Sequence, residues 1–411
     1  MKRLLLVAVA CLLASSCFGG GSQTRTVLMD YSNDQFASAY LGFFPYEVAV
    51  HPGDTLVVKQ TWTGEPHTFT GGTLVDPLAK AVEPYLPKYH QSGFASLPQE
   101  EPKALIDASA KLPAVFDEKT NAIAQNGSQP CYLDTGEPPK NINTPCPHRA
   151  QPPFNGRQSF YSSGYVHYAG PSGNTYRMPV AKDATPGHYF FFCIVHGPLM
   201  STYVDIKPRG EHIASQAEVT RTAGKEIDVW SKPLVTGWNA AVAGRVEPPL
   251  EAKDLVAPGS RYFKGIFVGF GALPNEKVQF EEGINEFIPR KTTAKVNTPV
   301  TWTTFGGHTI SFDVPKYLPL FTVKKDGTVE RNPVIDNPAG GAPNLGPPQD
   351  KPRKVDGGTW DGDHFWSSGM IETGNGNNLY VQYTLRFSKP GTYRYACLVH
   401  PAMVADITIT P

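Results

Sequence analysis

The chain has 411 residues, and its 37 Lys plus Arg balance 37 Asp plus Glu. That balance leaves no bulk field to hold nucleic acid or to steer an acidic substrate, so no nucleic-acid partner is expected. The length points to two or three domains. With 18% charged residues, 39 Gly and 39 Pro, short strands and loops are favoured over helical bundles.

At the N-terminus, Lys2 and Arg3 precede "LLLVAVACLLA". An apolar run of about a dozen residues is too short to span a bilayer and suits a secretory signal, here 1–17. It ends in "ASSC", Ala14 to Cys17. Small residues before a cysteine resemble the lipobox of bacterial lipoproteins, which would make Cys17 a lipidation site. Ordinary cleavage near Ser15 or Ser16 is the alternative. Either way the chain is expected to be exported, to the periplasm or the outer face of the cell membrane. It would touch the membrane only through an N-terminal lipid.

The first domain is placed at 25–208. "YEVAV" and "TLVVKQTW" alternate and are rich in β-branched residues, as short strands are. His67 follows in "EPHTF". An insertion, about 71–153, separates it from the next strands and carries "EPKALIDASAKLPAVF", a helical pattern expected to cover the sandwich. Within it, Cys131 and Cys146 bracket a Pro/Asn/Gly-rich loop and read as a local disulfide in an exported protein. Then come "FNGRQSFYSSG" and "GHYFFFCIVHGPLMSTYVDI". A connector at 209–258 is partly helical. The second domain, 259–411, contains "TTAKVNTPVTWTTFGGHTI", a Pro/Gly-rich loop, "WDGDHFWSSG" and "GTYRYACLVHPAMVADITI".

These blocks repeat in order. Each half has a strand with Thr-Trp-Thr, a histidine followed by Thr, a Ser-Ser-Gly, and a Cys–His–Met loop between two strands. Gly164 lies 29 residues before Cys193, and Gly369 lies 28 before Cys397. Order and spacing together predict a tandem repeat. The fold class is all-β, with two Greek-key β-sandwich domains, a partly helical insertion in the first, and a connector.

A cysteine closing one strand, a His and a Met in the next turn, and a remote His form two nitrogen donors, a thiolate and a weak thioether. That set suits copper in electron transfer: the thiolate stabilises Cu(I), imidazole serves both oxidation states, and the thioether tunes without imposing a geometry. Both halves resemble cupredoxins, the blue copper family of plastocyanin, amicyanin and pseudoazurin. "CLVHPAM" has the amicyanin spacing, and "CIVHGPLM" lies between the amicyanin and plastocyanin loops. The resemblance implies two type 1 copper sites cycling between Cu(I) and Cu(II). One would use His67, Cys193, His196 and Met200, the other His308, Cys397, His400 and Met403. The extra residue before Met200 makes it the least typical ligand. Alternatives are a Cys193–Cys397 disulfide, or a domain that has lost its metal.

Among cupredoxin relatives, nitrite reductases and multicopper oxidases wire further copper through histidines flanking the blue-site cysteine. This chain has no His-Cys, Cys-His or His-x-His. It also has only 6 Met and no Met- or His-rich tract of the kind a copper scavenging or delivery protein uses. The expected role is therefore electron transfer between redox partner proteins such as a cytochrome, oxidase or dehydrogenase. His196 and His400 would be exit points if their outer edges reach the surface, with Pro198, Leu199, Pro401 and Ala402 as an apolar docking patch. His364 is a candidate neighbour of the second site, while Trp62 and Trp302 read as core.

Overall fold

The computed structural model describes residues 21–92, 103–117, 151–166, 174–243, 265–272 and 278–411, with short gaps inside these ranges, and residues 122, 123 and 127. The expected signal segment with Cys17, the Cys131–Cys146 loop and Trp62 lie outside the described residues.

The first half is a sandwich of two sheets. One runs in the order Phe43–Phe44, Thr24–Met29, Thr55–Gln60, Thr175–Pro179. The other runs Glu47–Val50, Gly197–Ile206, Gly187–Cys193, Thr70–Gly71, Tyr161–Ser162. Alternate residues from both sheets meet in one core: Val27, Met29, Leu56 and Val58 pack with Val48, Val50, Phe191 and Val204. Thr24–Met29 pairs parallel with Thr55–Gln60, and Glu47–Val50 pairs parallel with Gly197–Ile206. Parallel neighbours cannot be joined by tight hairpins, so the chain crosses between sheets.

The second half repeats the plan. Its sheets run Val278–Ile288, Ile266–Ala272, Val300–Thr304, Val381–Phe387, Arg353–Trp360, and Lys291–Lys295, Val404–Thr410, Gly391–Ala396, Ser311–Phe312, Trp366–Ser367. The last sheet has the same order as its counterpart in the first half. Trp302, fully buried, packs with Phe312 and Tyr395 at its centre. The expected two-sandwich β architecture is what the sheets form.

The described helices of the insertion pack on the first sandwich. Helices Asp76–Val82 and Lys103–Ser109 bury Leu78, Val82, Leu105 and Ala108 against Phe190, Phe192 and Ile194. This explains an unbroken apolar run in "YFFFC", since that strand is buried on both faces. Its counterpart "TYRYA" alternates, with Arg394 in solvent.

The connector contains the helix Gln216–Val242, started by a Ser215–Glu218 capping box. Its Trp230 is buried among Tyr40, Phe44 and Tyr89 of the first half. The same helix packs on the strands Ile266–Ala272 and Val278–Ile288 of the second half. The halves also touch directly: the Ala37 N–H donates to Glu286 Oε1 at 2.6 Å, and the Asn285 N–H donates to Ala37 O at 2.8 Å. These contacts bring the two Cys–His–Met loops together.

Candidate metal centres

Cys193 ends its strand, and the chain turns at Gly197, which takes φ +77°. The pairing of Gly187–Cys193 with Gly197–Ile206 slips between Phe192 and Cys193, and this irregularity takes up the longer loop. The turn sets His196 Nδ1 3.5 Å from Cys193 Sγ, with His67 Nδ1 3.7 Å from the same sulfur. Cys193, His67 and Met200 are fully buried, and Met200 shares the core cluster of Cys193.

In the second half, Cys397 Sγ lies 3.5 Å from His400 Nδ1 and 3.9 Å from His308 Nδ1, and the two imidazole nitrogens are 3.1 Å apart. The Met403 N–H donates to His400 O, and the Cys397 N–H to Met403 O, closing the loop on itself. Met403 is fully buried in the cluster that contains Cys397. Both cysteines are free thiols, so the alternative of a disulfide between them is not realised.

The matched Thr and Ser-Ser-Gly blocks are the frame of these sites. The N–H groups of Thr68 and Thr309 each donate to their cysteine Sγ at 3.4 Å. Their hydroxyls accept from the Ile194 and Leu398 N–H groups, at 2.9 and 2.8 Å. Ser163 and Ser368 accept from the Phe69 and Ile310 N–H groups, clipping each histidine strand in place. Gly164 and Gly369, at φ +60° and +67°, make the turn that aims these serines.

Charge completes the sites. Burial alone would raise both thiols, but the facing imidazoles hold Cys193 and Cys397 well below the ordinary thiol range. Burial also opposes a charged imidazole, yet Cys397 and Glu65 lift His400 to about 10. Cys193 and Glu65 likewise hold His196 well above its usual range. Behind His67 stands Asp30, a buried carboxylate at φ +63°, which accepts from His67 Nε2 at 2.7 Å. It also accepts from the Thr61 N–H and from the Thr61 and Thr63 hydroxyls. Asp30 and Glu65 were not among the expected site residues.

Three expectations change. The outer edges of His196 and His400 are not surface exits: their side chains are 10% and 4% exposed, and both face Glu65 in the contact between the halves. Pro198 is buried, Leu199 packs against the insertion and connector clusters, and Pro401 lies beside Gly64, which leaves Ala402 exposed. Of the expected docking patch, only Pro401 thus lies in the contact between the halves, while Ala402 stays exposed. His364 sits on the outer surface, bonded to Gly340 O at 3.2 Å and paired with Asp361 and Asp363.

The donors fit a small metal ion. Metal–nitrogen bonds of about 2.0 Å and a metal–sulfur bond of about 2.3 Å would span the measured edges of the second site at angles of about 100–130°, close to trigonal. All four histidines turn Nδ1 inward; His67 and His400 give Nε2 to a carboxylate, and His196 Nε2 lies within ion-pair distance of one, the arrangement that orients ligand imidazoles.

No protein-family model matches the chain, and no curated protein does. Among solved structures it is similar to a purple cupredoxin from Nitrosopumilus maritimus, at 20% identity over 36% of this chain and 100% of that one, with a TM-score of 0.18. It is also similar to auracyanin from Roseiflexus castenholzii, at 16% identity over 46% and 100%, TM-score 0.20. A Cu-containing nitrite reductase from Thermus scotoductus aligns over 95% of this chain and 100% of that one, at 12% identity and TM-score 0.20. At such TM-scores these likenesses carry no argument; the fold stands on its sheet orders and the site on its donors.

Proposed function

We propose that the chain is an exported copper protein with two type 1 centres, which passes single electrons between redox partner proteins. The observation that carries this reading is the buried convergence, in each half, of one thiolate and two imidazole Nδ1 atoms. Soft sulfur with two imidazoles suits copper over the harder ions, and rigid burial suits a site whose ligands stay put as charge changes. Bound copper would supply a one-electron couple between Cu(I) and Cu(II). The protein's part is to hold each cysteine deprotonated, to fix His67 through Asp30, to place Met200 and Met403 in the core behind their cysteines, and to keep water out. No helix among the described residues is long and apolar enough to cross a membrane.

The test is to load the mature chain with Cu(II), count copper, and record visible absorption and electron paramagnetic resonance. Two coppers with intense thiolate-to-copper absorption are expected. A colourless protein overturns the reading, and a third copper with ordinary resonance parameters turns it toward an enzyme of the nitrite reductase or multicopper oxidase type.

A further inference from the structure

One carboxylate stands between the two donor sets. His400 Nε2 donates to Glu65 Oε1 at 2.8 Å, and His196 Nε2 lies 3.5 Å from Glu65 Oε2. Each of these imidazoles turns its other nitrogen to its own cysteine, at 3.5 Å in both halves. The series Cys193, His196, Glu65, His400, Cys397 therefore runs continuously from one set to the other. Glu65 belongs to the first half, two residues before His67, yet its shorter contact is with the second half.

The surroundings are built for this approach. The Glu65 side chain is 12% exposed. Its loop is held by Gln60, whose amide donates to Glu65 O, and by Thr63, which accepts from the Glu65 N–H at 3.3 Å. Gly64 has φ +94°, and a Cβ there would stand 1.8 Å from the carbonyl oxygen of Val399, the residue before His400. Only a glycine lets the loop lie against the second ligand turn. An apolar residue in place of Glu65 would seal the same interface without the cost of burying a charge. The carboxylate therefore points to a role beyond docking.

We propose that Glu65 is a shared positioning residue that couples the two centres, orienting His196 and His400 from one carboxylate and providing a short polar route for electron exchange between them. This rests on the two-centre copper reading above. In the exchange, one centre goes from Cu(I) to Cu(II) while the other goes from Cu(II) to Cu(I); one electron moves, and no bond or proton is transferred. The nearby negative charge also favours Cu(II) over Cu(I) at both centres at once.

The experiment compares the full copper-loaded chain with Glu65→Gln, Glu65→Ala and, as a one-site control, Asp30→Asn. Copper content and visible absorption come first, then the copper affinity and reduction potential of each centre. Last is the rate at which an electron delivered by pulse radiolysis redistributes between them. Glu65→Ala should weaken copper binding at both centres, and slow the redistribution, by about tenfold or more, while both potentials rise. Glu65→Gln keeps the shape and should hold copper more nearly as the parent does, yet still raise both potentials. Asp30→Asn should alter the first centre only. Unchanged potentials and rate with both coppers present, or a change at one centre alone, would overturn the bridge and leave the two-copper reading standing. Fewer than two blue coppers in the parent chain overturns that reading itself, and the bridge with it. If Glu65→Ala does not fold, Glu65→Gln carries the comparison of potentials and rates.

Discussion

The two donor sets each gather one Cys and two His, with a Met in the shared core, and differ in what stands behind them. His67 is backed by Asp30, whose charge and hydrogen bond outweigh burial and raise its affinity for a proton. For His308, burial dominates and the shift is downward. Two residues before His67 the first half has Glu65, whereas two residues before His308 the second half has Gly306, whose Cβ, if present, would stand 3.5 Å from His308 Nε2. Both described carboxylates that touch the ligand histidines therefore come from the first half. Matched donors with unmatched backing give the two donor sets different electrostatic settings, and with copper in both, as proposed, different potentials are expected from that alone.

The sharpest way to separate the centres is to delete one thiolate at a time. Cys193→Ser and Cys397→Ser should each abolish one centre's thiolate-to-copper absorption and leave the other, as read by copper counting and visible spectra. Loss of both bands from either change would mean the sites do not fold independently. Next in size is Gly64→Ala, which forces a Cβ into the Val399 carbonyl at a positive φ. It should cost about 2 kcal/mol or more in chemical denaturation and perturb the spectrum of the second centre although the change lies in the first half. Asp30→Asn should weaken copper at the first centre by about tenfold or more, by competitive titration, and leave the second untouched.

The smallest expected effect concerns the connector helix. Burial raises the Glu226 carboxyl to about 7, partly offset by the Tyr46 N–H that donates to it at 3.0 Å. A folded value above the unfolded one means the neutral form is favoured in the fold. Its contribution is therefore fully present below about pH 4.5 and is lost as pH rises through about 7. Glu226→Gln should flatten that part of the stability-against-pH curve by a modest amount, since the group is partly solvated. An unchanged slope would show that the Glu226 carboxyl is not buried in the fold.

Much of the site could be read from the repeat. The His-Thr pairs, the Ser-Ser-Gly turns and the Cys–His–Met loops are local patterns, and each recurs because it solves a local problem: aiming one ligand or clipping one strand. The "YFFFC" and "TYRYA" difference stood in the sequence, but that it separates a strand covered on both faces from one half in solvent came with the structure. The carboxylates were not read as site residues. Asp30 lies 37 residues from His67 in sequence and meets it only through the pairing of Thr24–Met29 with Thr55–Gln60. Glu65 sat inside a matched block, and its replacement by Gly306 in the other copy was the available sign.

The docking patch failed for a different reason. Apolar residues beside a ligand histidine serve a partner protein or a second domain equally well, and sequence does not say which. Spacing along single strands and turns determined which side chains gather in each half, because a strand–turn–strand has few ways to place a Cys, a His and a Met. Which groups back those ligands, and whether the two centres face solvent or each other, was decided by tertiary structure. It depends on helix Gln216–Val242 binding both halves and on a missing Cβ at Gly64, contacts between segments far apart in the chain.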